Sequence, residues 1–355
     1  MKSLQIILNI EKRAELISEI VNLWLDDDSG LLEAAVEKTA KEGLFQRGDV
    51  IFALNHVRES INKDALLDWF RKSVSGSNSV QVKDVLCLHA GNLPLVGFQD
   101  ILAVLLSGNR YFGKLSRKDP YLPASFLQTV QKIFKEEKIY WSVNLHEIPL
   151  EKTDIVLFSG SDKSVPNVLD ALNELGWLHP KTKKVIRTAH ASVAWFEPKA
   201  GSWDTLTEAI FRYDGKGCRS VACVFTSAEP AMILQKIAES AESYLEENPP
   251  ENKTLPALDF RGAYNFAIQK DFKNIGNLLL EAGAPELKKD GVVTVTKATI
   301  EEMKAFRQNS GHVIQSMYSN VDVPDCEPLS EAQRPPISWK PDGEDVLRIL
   351  TNEMF

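Results

Sequence analysis

Asp154-Ile155-Val156-Leu157-Phe158-Ser159-Gly160-Ser161-Asp162 is the stretch that decides the fold class. Its apolar run reads as a short buried strand, and it stops in a turn of small residues. From about Ser164 the pattern changes to a helical one. Val165, Val168, Leu169, Leu172 and Leu175 recur at the 3.6-residue period, and Pro166 lies in the first turn, where its missing N–H costs nothing. A strand that passes through a small-residue turn into an amphipathic helix is half of a βαβ unit.

The same alternation extends to both sides. Upstream, Val85-Leu86-Cys87-Leu88 reads as a strand closed by His89-Ala90-Gly91-Asn92-Leu93-Pro94. A helix over 99–106, a strand over 111–115, a helix opened by Lys118-Asp119-Pro120 and running to about residue 136, and a strand over 141–143 follow. Downstream, 184–186 and 192–196 read as strands, 205–213 as a helix, 221–225 as a strand, and Ser227 caps a helix reaching about residue 245. The first 75 residues are helical in pattern, with no evident chemistry, and serve as scaffold or substrate-side cover. Strands alternating with helices predict an α/β protein with doubly wound parallel sheets, whose sites lie at the strand carboxyl ends. No internal repeat is present. The loop 198–202, with Pro, Gly and Ser, marks the expected domain boundary, and 324–336 is loop-rich.

Composition narrows the function classes. The chain has 355 residues, 44% hydrophobic and 25% charged, which describes a globular protein with a large core. A net charge of −8 argues against nucleic acid as the main partner. Apolar runs such as 101–106 are far shorter than the roughly 20 residues of a spanning helix. The N-terminus reads as mature sequence, because Glu11, Lys12, Arg13 and Glu15 follow its short apolar stretch at once. The four cysteines, Cys87, Cys218, Cys223 and Cys326, form neither a disulfide framework nor a zinc pattern, so a cytoplasmic enzyme without a metal is expected.

Four motifs carry potential chemistry. In Asp214-Gly215-Lys216-Gly217-Cys218-Arg219-Ser220, two glycines permit tight backbone turns and two cations favour the thiolate. The motif alone fits a nucleophile and a half-buried structural cysteine equally well. Cys223 and Cys87 lie in apolar strands and Cys326 in a proline-rich loop, all structural settings. Ser159-Gly160-Ser161 precedes a helix N-terminus and suits a phosphate, although a plain strand-to-helix turn explains it too. Gly113-Lys114-Leu115-Ser116-Arg117-Lys118 puts cations and a hydroxyl at a strand end, a solvated face or a phosphate site. Asn92 fits a turn former or an oxyanion donor.

Taken in order, these elements resemble one family. Ala90-Gly91-Asn92-Leu93-Pro94-Leu95-Val96-Gly97, Lys114-Leu115-Ser116-Arg117-Lys118-Asp119-Pro120, Phe158-Ser159-Gly160-Ser161, Ile186-Arg187 with Ser192-Val193-Ala194, and Gly217-Cys218-Arg219 are similar to acyl-CoA reductases of the LuxC type, a branch of the aldehyde dehydrogenase superfamily. Ala332-Gln333-Arg334-Pro335 with Asp342-Gly343 resembles the family's closing motif, and the resemblance covers about residues 80–355.

The resemblance implies an aldehyde dehydrogenase-like fold of two doubly wound lobes. Residues 1–200 form the helical N-terminus and nucleotide-binding lobe, 201–325 the catalytic lobe, and 326–355 a segment returning to the first lobe. It implies that Cys218 attacks a thioester and becomes acylated, and that Asn92 and the Cys218 N–H hold the oxyanion. It places Ser159, Gly160 and Ser161 under the cofactor pyrophosphate and Lys114 against the adenosine ribose. NAD-dependent relatives carry a glutamate three residues after that lysine. Here Arg117 stands there beside Ser116 and Lys118, a basic group that would attract a 2′-phosphate, so NADPH is the expected cofactor. Arg187 aligns near the glutamate that activates water in oxidising relatives, which favours reduction to an aldehyde over hydrolysis; His190 is the nearest other acid or base, in a structural setting. The substrate implied is an acyl-CoA or acyl-carrier thioester, fatty in character. A homo-oligomer or an acyl-protein synthetase partner is compatible with it. A cysteine acyltransferase or thioesterase without nicotinamide, and a non-catalytic relative, are the alternatives.

Overall fold

The computed structural model describes residues 2–43, 45–74, 81–135, 138–250, 256–287 and 291–352, with side chains from residue 10 onward. The expected helix end at residue 136 and the start of the resemblance at residue 80 lie outside them. The chain forms two compact units, of which Ala189–Pro335 is the second.

The first unit opens with four helices, α1 (Lys2–Leu25), α2 (Leu31–Gly43), α3 (Arg47–Ser60) and α4 (Lys63–Ser73). In α1, Ala14, Ile17, Val21 and Trp24 are buried at helical spacing, so this face is part of the core. Then come β1 (Asp84–Leu88), α5 (Phe98–Ser107), β2 (Arg110–Lys114), α6 (Tyr121–Ile133), β3 (Ile139–Ser142), β4 (Ile155–Ser159), α7 (Val165–Glu174) and β5 (Lys183–Arg187). The five strands form a wholly parallel sheet of order β3-β2-β1-β4-β5.

Alternation along each strand sorts its side chains between the two faces. Val85, Cys87, Ile155 and Leu157 join the core beneath α1 to α6, whereas Leu86, Leu88, Val156 and Phe158 join Leu172 of α7 and Trp177. Both faces are buried, which is why these strands read as continuous apolar runs. Trp24 of α1 ties the N-terminal helices to the sheet. Its ring meets Phe98 of α5 at 5.7 Å and Phe126 of α6 at 5.2 Å, and its Nε1 donates to Ser125 Oγ at 2.9 Å. Such ring pairs contribute ~1 kcal/mol each beyond the area they bury.

The second unit comprises β6 (Ala191–Trp195), α8 (Trp203–Phe211), β7 (Val221–Thr226), α9 (Pro230–Glu247), α10 (Pro256–Ala267), β8 (Phe272–Ile275), β9 (Leu278–Ala282), β10 (Val292–Lys297), α11 (Ile300–Ser310), β11 (Ile314–Ser319) and β12 (Glu327–Pro328). Its seven-stranded sheet has the order β12-β11-β6-β7-β10-β9-β8, parallel except for the β8–β9 hairpin. The core under α8 and α9 takes Ala194, Val224, Leu280 and Val295, while Val193, Cys223 and Phe225 face Met303 of α11.

The change of unit comes earlier than the 198–202 loop, because β6 already pairs with β7 and β11. The second unit likewise extends past residue 325, to Pro335. The final helix, α12 (Val346–Thr351), belongs to the first unit, where the buried Lys83 Nζ donates to the Leu350 carbonyl at its C-terminus at 3.0 Å. Among the described residues, no helix is long and apolar enough to cross a membrane, and no cluster of His, Cys, Asp or Glu is arranged to hold a metal.

Candidate functional site

In the first unit the chain runs outward from β1 through β2 to β3, then crosses back to β4 and β5. The strand order therefore reverses between β1 and β4, and open parallel sheets bind ligands beyond the carboxyl ends at such a point. The register aligns these ends: Leu88 pairs with Lys114 and Phe158, and Ser159 with Arg187. The Asn92 loop, the Lys114 to Arg117 group and the Ser159-Gly160-Ser161 turn thus share one sheet edge.

The first two of these touch. A methyl group on Gly91 would fall 1.9 Å from Ser116 Oγ and 2.5 Å from its Cβ, so the bare glycine is what lets the loops meet. Ser116 Oγ also accepts the Lys118 N–H at 3.2 Å. Asn92, the next residue, is exposed at the bend. Lys114 is half-buried, and burial first, then the charge of Arg117, lowers its pKa. Arg117 and Lys118 project into solvent.

Beyond β4, the Gly160 N–H donates to the Arg187 carbonyl at 3.2 Å and the Ser164 N–H to the Ser161 carbonyl at 2.9 Å. The Ser161 and Ser164 hydroxyls share a hydrogen bond of 2.6 Å. Ser164 makes no side-chain cap to α7, whose first turn contains a proline. A short turn of small residues ahead of an uncapped helix N-terminus is chemistry suited to an anion.

Beneath this edge lies a polar layer that sequence reasoning did not anticipate. The Arg187 guanidinium grips Asp100 of α5 with two hydrogen bonds, Nη1 to Oδ1 at 2.9 Å and Nη2 to Oδ2, and both residues are buried. The Asp100 signal was its place as the one charged residue in a largely apolar helix, Phe98-Gln99-Asp100-Ile101-Leu102-Ala103-Val104-Leu105-Leu106. Beside the pair, His89 Nε2 shares a hydrogen bond of 2.7 Å with the Tyr111 hydroxyl, and burial pushes the His89 pKa down to about 4. Leu95 adopts a left-handed φ of 56°, held by its N–H donating to the buried Asp119 carboxylate at 2.8 Å. Burial raises the Asp119 pKa to about 6.

Cys218 belongs to the second unit, so the structure does not place it on the same sheet edge as Asn92, Lys114, Ser116, Arg117, Ser159, Gly160 and Ser161. It is half-buried in the turn between α8 and β7. Tyr213, Asp214 and Gly215 are all left-handed, at φ 59°, 53° and 66°, which ends α8 two residues before the expected Tyr213 and folds the chain back. The turn is tied on three sides. Ser220 Oγ accepts the Gly217 N–H at 3.1 Å, Ser192 Oγ donates to the Cys218 carbonyl at 2.9 Å, and Arg219 Nε donates to the Ala332 carbonyl at 3.1 Å. Ser192 itself accepts the Ser316 N–H at 3.2 Å, linking β6 and β11 below the turn. The signal for Ser192 was a hydroxyl inside an apolar strand.

The other cysteines are set differently. Burial pushes Cys87 well up and Cys223 to about 11, and the Cys223 sulfur accepts the Thr294 hydroxyl at 3.1 Å. Burial also raises Cys326. His190 is exposed, and its backbone N–H donates to the Val313 carbonyl at 3.2 Å. The closing motif is structural in both units. Gln333 Nε2 donates to the Ala209 carbonyl at 3.1 Å, and Asp342 Oδ2 accepts the Thr188 N–H at 2.9 Å.

The family model described as acyl-CoA reductase (LuxC) matches residues 14–282. Among curated proteins no sequence matches the chain. Solved structures match at low identity. The indole-3-acetaldehyde dehydrogenase AldA of P. syringae, in complex with NAD+ and IAA, is 13% identical at a TM-score of 0.59, over 92% of this chain and 75% of that one. Aldehyde dehydrogenase C (AldC) of Pseudomonas syringae, complexed with NAD+ and octanal, is 14% identical at 0.59, over 91% and 74%. Proline utilization A (PutA) of Bradyrhizobium japonicum is 15% identical at 0.60, over 87% of this chain but only 36% of that longer one. The fold is that of the aldehyde dehydrogenases.

Proposed function

The chain belongs to the acyl-CoA reductase (LuxC) family, and on that premise we propose that it reduces an acyl thioester, a fatty acyl-CoA, to the aldehyde with NADPH through an acyl-Cys218 intermediate. The observation that carries the reading is the setting of Cys218: a half-buried thiol in a turn whose backbone is fixed by Ser192, Ser220 and Arg219. Burial raises the pKa of each of the three other cysteines.

The first unit supports the cofactor. Gly160 and the α7 N-terminus suit a pyrophosphate, and Lys114, Ser116 and Arg117 offer cations and a hydroxyl to an adenosine ribose carrying a 2′-phosphate. The structural relatives AldA and AldC were solved with NAD+. When bound, NADPH supplies the hydride that takes the acyl group to the aldehyde.

The protein's own part begins with the Cys218 thiolate, which attacks the thioester carbonyl carbon. The resulting oxyanion takes hydrogen bonds from backbone N–H at the cysteine turn and from Asn92, a role given to it by the family resemblance. Collapse expels the CoA thiolate and leaves the acyl group on sulfur. Arg187 is committed to Asp100 and offers no carboxylate to activate water, which favours reduction over hydrolysis of the acyl-enzyme.

Mixing a long-chain acyl-CoA with NADPH and either wild type or Cys218→Ala tests the reading. Wild type consumes NADPH and forms an equal amount of aldehyde, and Cys218→Ala does neither. Equal activity of the two proteins overturns the role of Cys218. Thioester hydrolysis without NADPH consumption points instead to a thioesterase.

A further inference from the structure

We infer that the buried Asp100–Arg187 pair is a positioning device that sets the spacing of the two walls of the β1–β4 crevice, and through it the affinity for the dinucleotide. The inference rests on the cofactor reading above. Asp100 lies in the first turn of α5, the helix into which the Asn92 loop runs, and so moves with one wall. Arg187 ends β5, beside the turn that forms the other wall.

Arg187 grips both at once. Its side chain holds Asp100 through the paired Nη1–Oδ1 and Nη2–Oδ2 bonds, while its backbone carbonyl accepts the Gly160 N–H at 3.2 Å. A third tie fixes the same segment: the next N–H, of Thr188, donates to Asp342 Oδ2 at 2.9 Å, and Asp342 comes from the C-terminal stretch that also receives Gln99 Nε2 on the Ile337 and Trp339 carbonyls at 2.7 and 2.6 Å. The α5 N-terminus, the end of β5 and the C-terminal segment are thereby locked to one another directly under the small-residue turn.

The choice of residues matters. A planar guanidinium on a carboxylate fixes distance and angle together, which a lysine or an apolar contact does not. Apolar side chains of similar volume can fill a buried site at equal or better stability. What the ion pair adds here is therefore orientation. The two groups are 4% and 6% exposed, so they act through the loops they hold and not on a reacting atom.

The test titrates full-length protein with NADPH, read by nucleotide fluorescence, and records the melting temperature in parallel. Wild type is compared with Arg187→Lys and with the double variant Asp100→Leu/Arg187→Met. Arg187→Lys keeps the charge but loses the fork, and is expected to fold and to bind NADPH about tenfold more weakly, the equivalent of one charge-assisted hydrogen bond. The double variant is expected to melt near wild type yet to bind NADPH at least about tenfold more weakly. Recovery of affinity together with melting temperature in the double variant, or wild-type affinity in Arg187→Lys, overturns the inference and leaves the cofactor reading intact. Failure of wild type to bind either NADPH or NADH overturns both.

Discussion

Ser192→Ala probes the support of the nucleophile most sharply. Ser192 is fully buried, and its hydroxyl bridges two backbone groups: it donates to the Cys218 carbonyl at 2.9 Å and accepts the Ser316 N–H at 3.2 Å. Alanine removes both bonds without adding bulk. Ser316 is buried, so its N–H loses its partner with no water to replace it, a cost of ~1–3 kcal/mol. Cys218 is only half-buried and its carbonyl can turn to solvent, which limits that loss to ~0.5–1 kcal/mol. Stability in urea should therefore fall by about 1.5–4 kcal/mol. The strand pairing survives, because the Ser192 N–H still donates to the Ser220 carbonyl at 3.0 Å. With the turn loosened, the backbone N–H groups beside Cys218 lose their aim, and acylation by an acyl-CoA should slow about tenfold, less than outright removal of an oxyanion donor. Ser192→Cys, with a weak donor of similar size, should fall between the two. Wild-type stability and an unchanged acylation rate in Ser192→Ala would show that the bridge supports nothing.

Other consequences follow from the same geometry. Gly91→Ala drives a methyl group into Ser116, so it should weaken NADPH binding by about tenfold or more while leaving alkylation of Cys218 by iodoacetamide unchanged; isothermal titration and alkylation kinetics check the two halves. His89 stays neutral in the folded protein to about pH 4 but takes a proton near its ordinary value of about 6.5 in the unfolded chain. The unfolded state thus binds more protons across that interval, and the His89 contribution to stability is present above about pH 6.5 and lost as pH falls toward 4. Imidazole 15N shifts that titrate near 6.5 in the folded protein would contradict this. Arg117→Glu places a carboxylate where the 2′-phosphate is expected, and should lower the ratio of NADPH to NADH affinity by about tenfold or more, measured by competitive binding.

Much of the fold was legible because buried parallel strands advertise themselves. The runs at 85–88 and 155–158 are apolar on both faces, and the turns that close them carry Gly, Asn, Ser and Pro. The change of unit was less visible. Between β5 and β6 only Thr188, Ala189 and His190 intervene, with no glycine or proline to mark the passage, whereas the 198–202 loop merely joins β6 to α8. The end of α8 was misread because Tyr213 and Asp214 take left-handed conformations that residue type does not announce.

At the site, the small-residue turns and Cys218 were readable as motifs, but their supports were not. Arg187 follows 184–186, which reads as a strand with no sign of a buried ion pair, and its partner lies on a helix far away in sequence. Ser192 looks like an ordinary strand residue until its two backbone partners are seen. Both side chains act through long-range pairing, which spacing along a single chain does not encode.

The most direct measurement of the central claim is the intact mass of the protein after exposure to a long-chain acyl-CoA without NADPH. Wild type should gain the mass of one acyl group, localised to Cys218 by peptide mapping, and lose it on addition of NADPH as free aldehyde appears. Cys218→Ala should gain nothing. An adduct that forms equally on Cys218→Ala, or aldehyde produced with no acyl-enzyme ever detected, would contradict a cysteine-bound route.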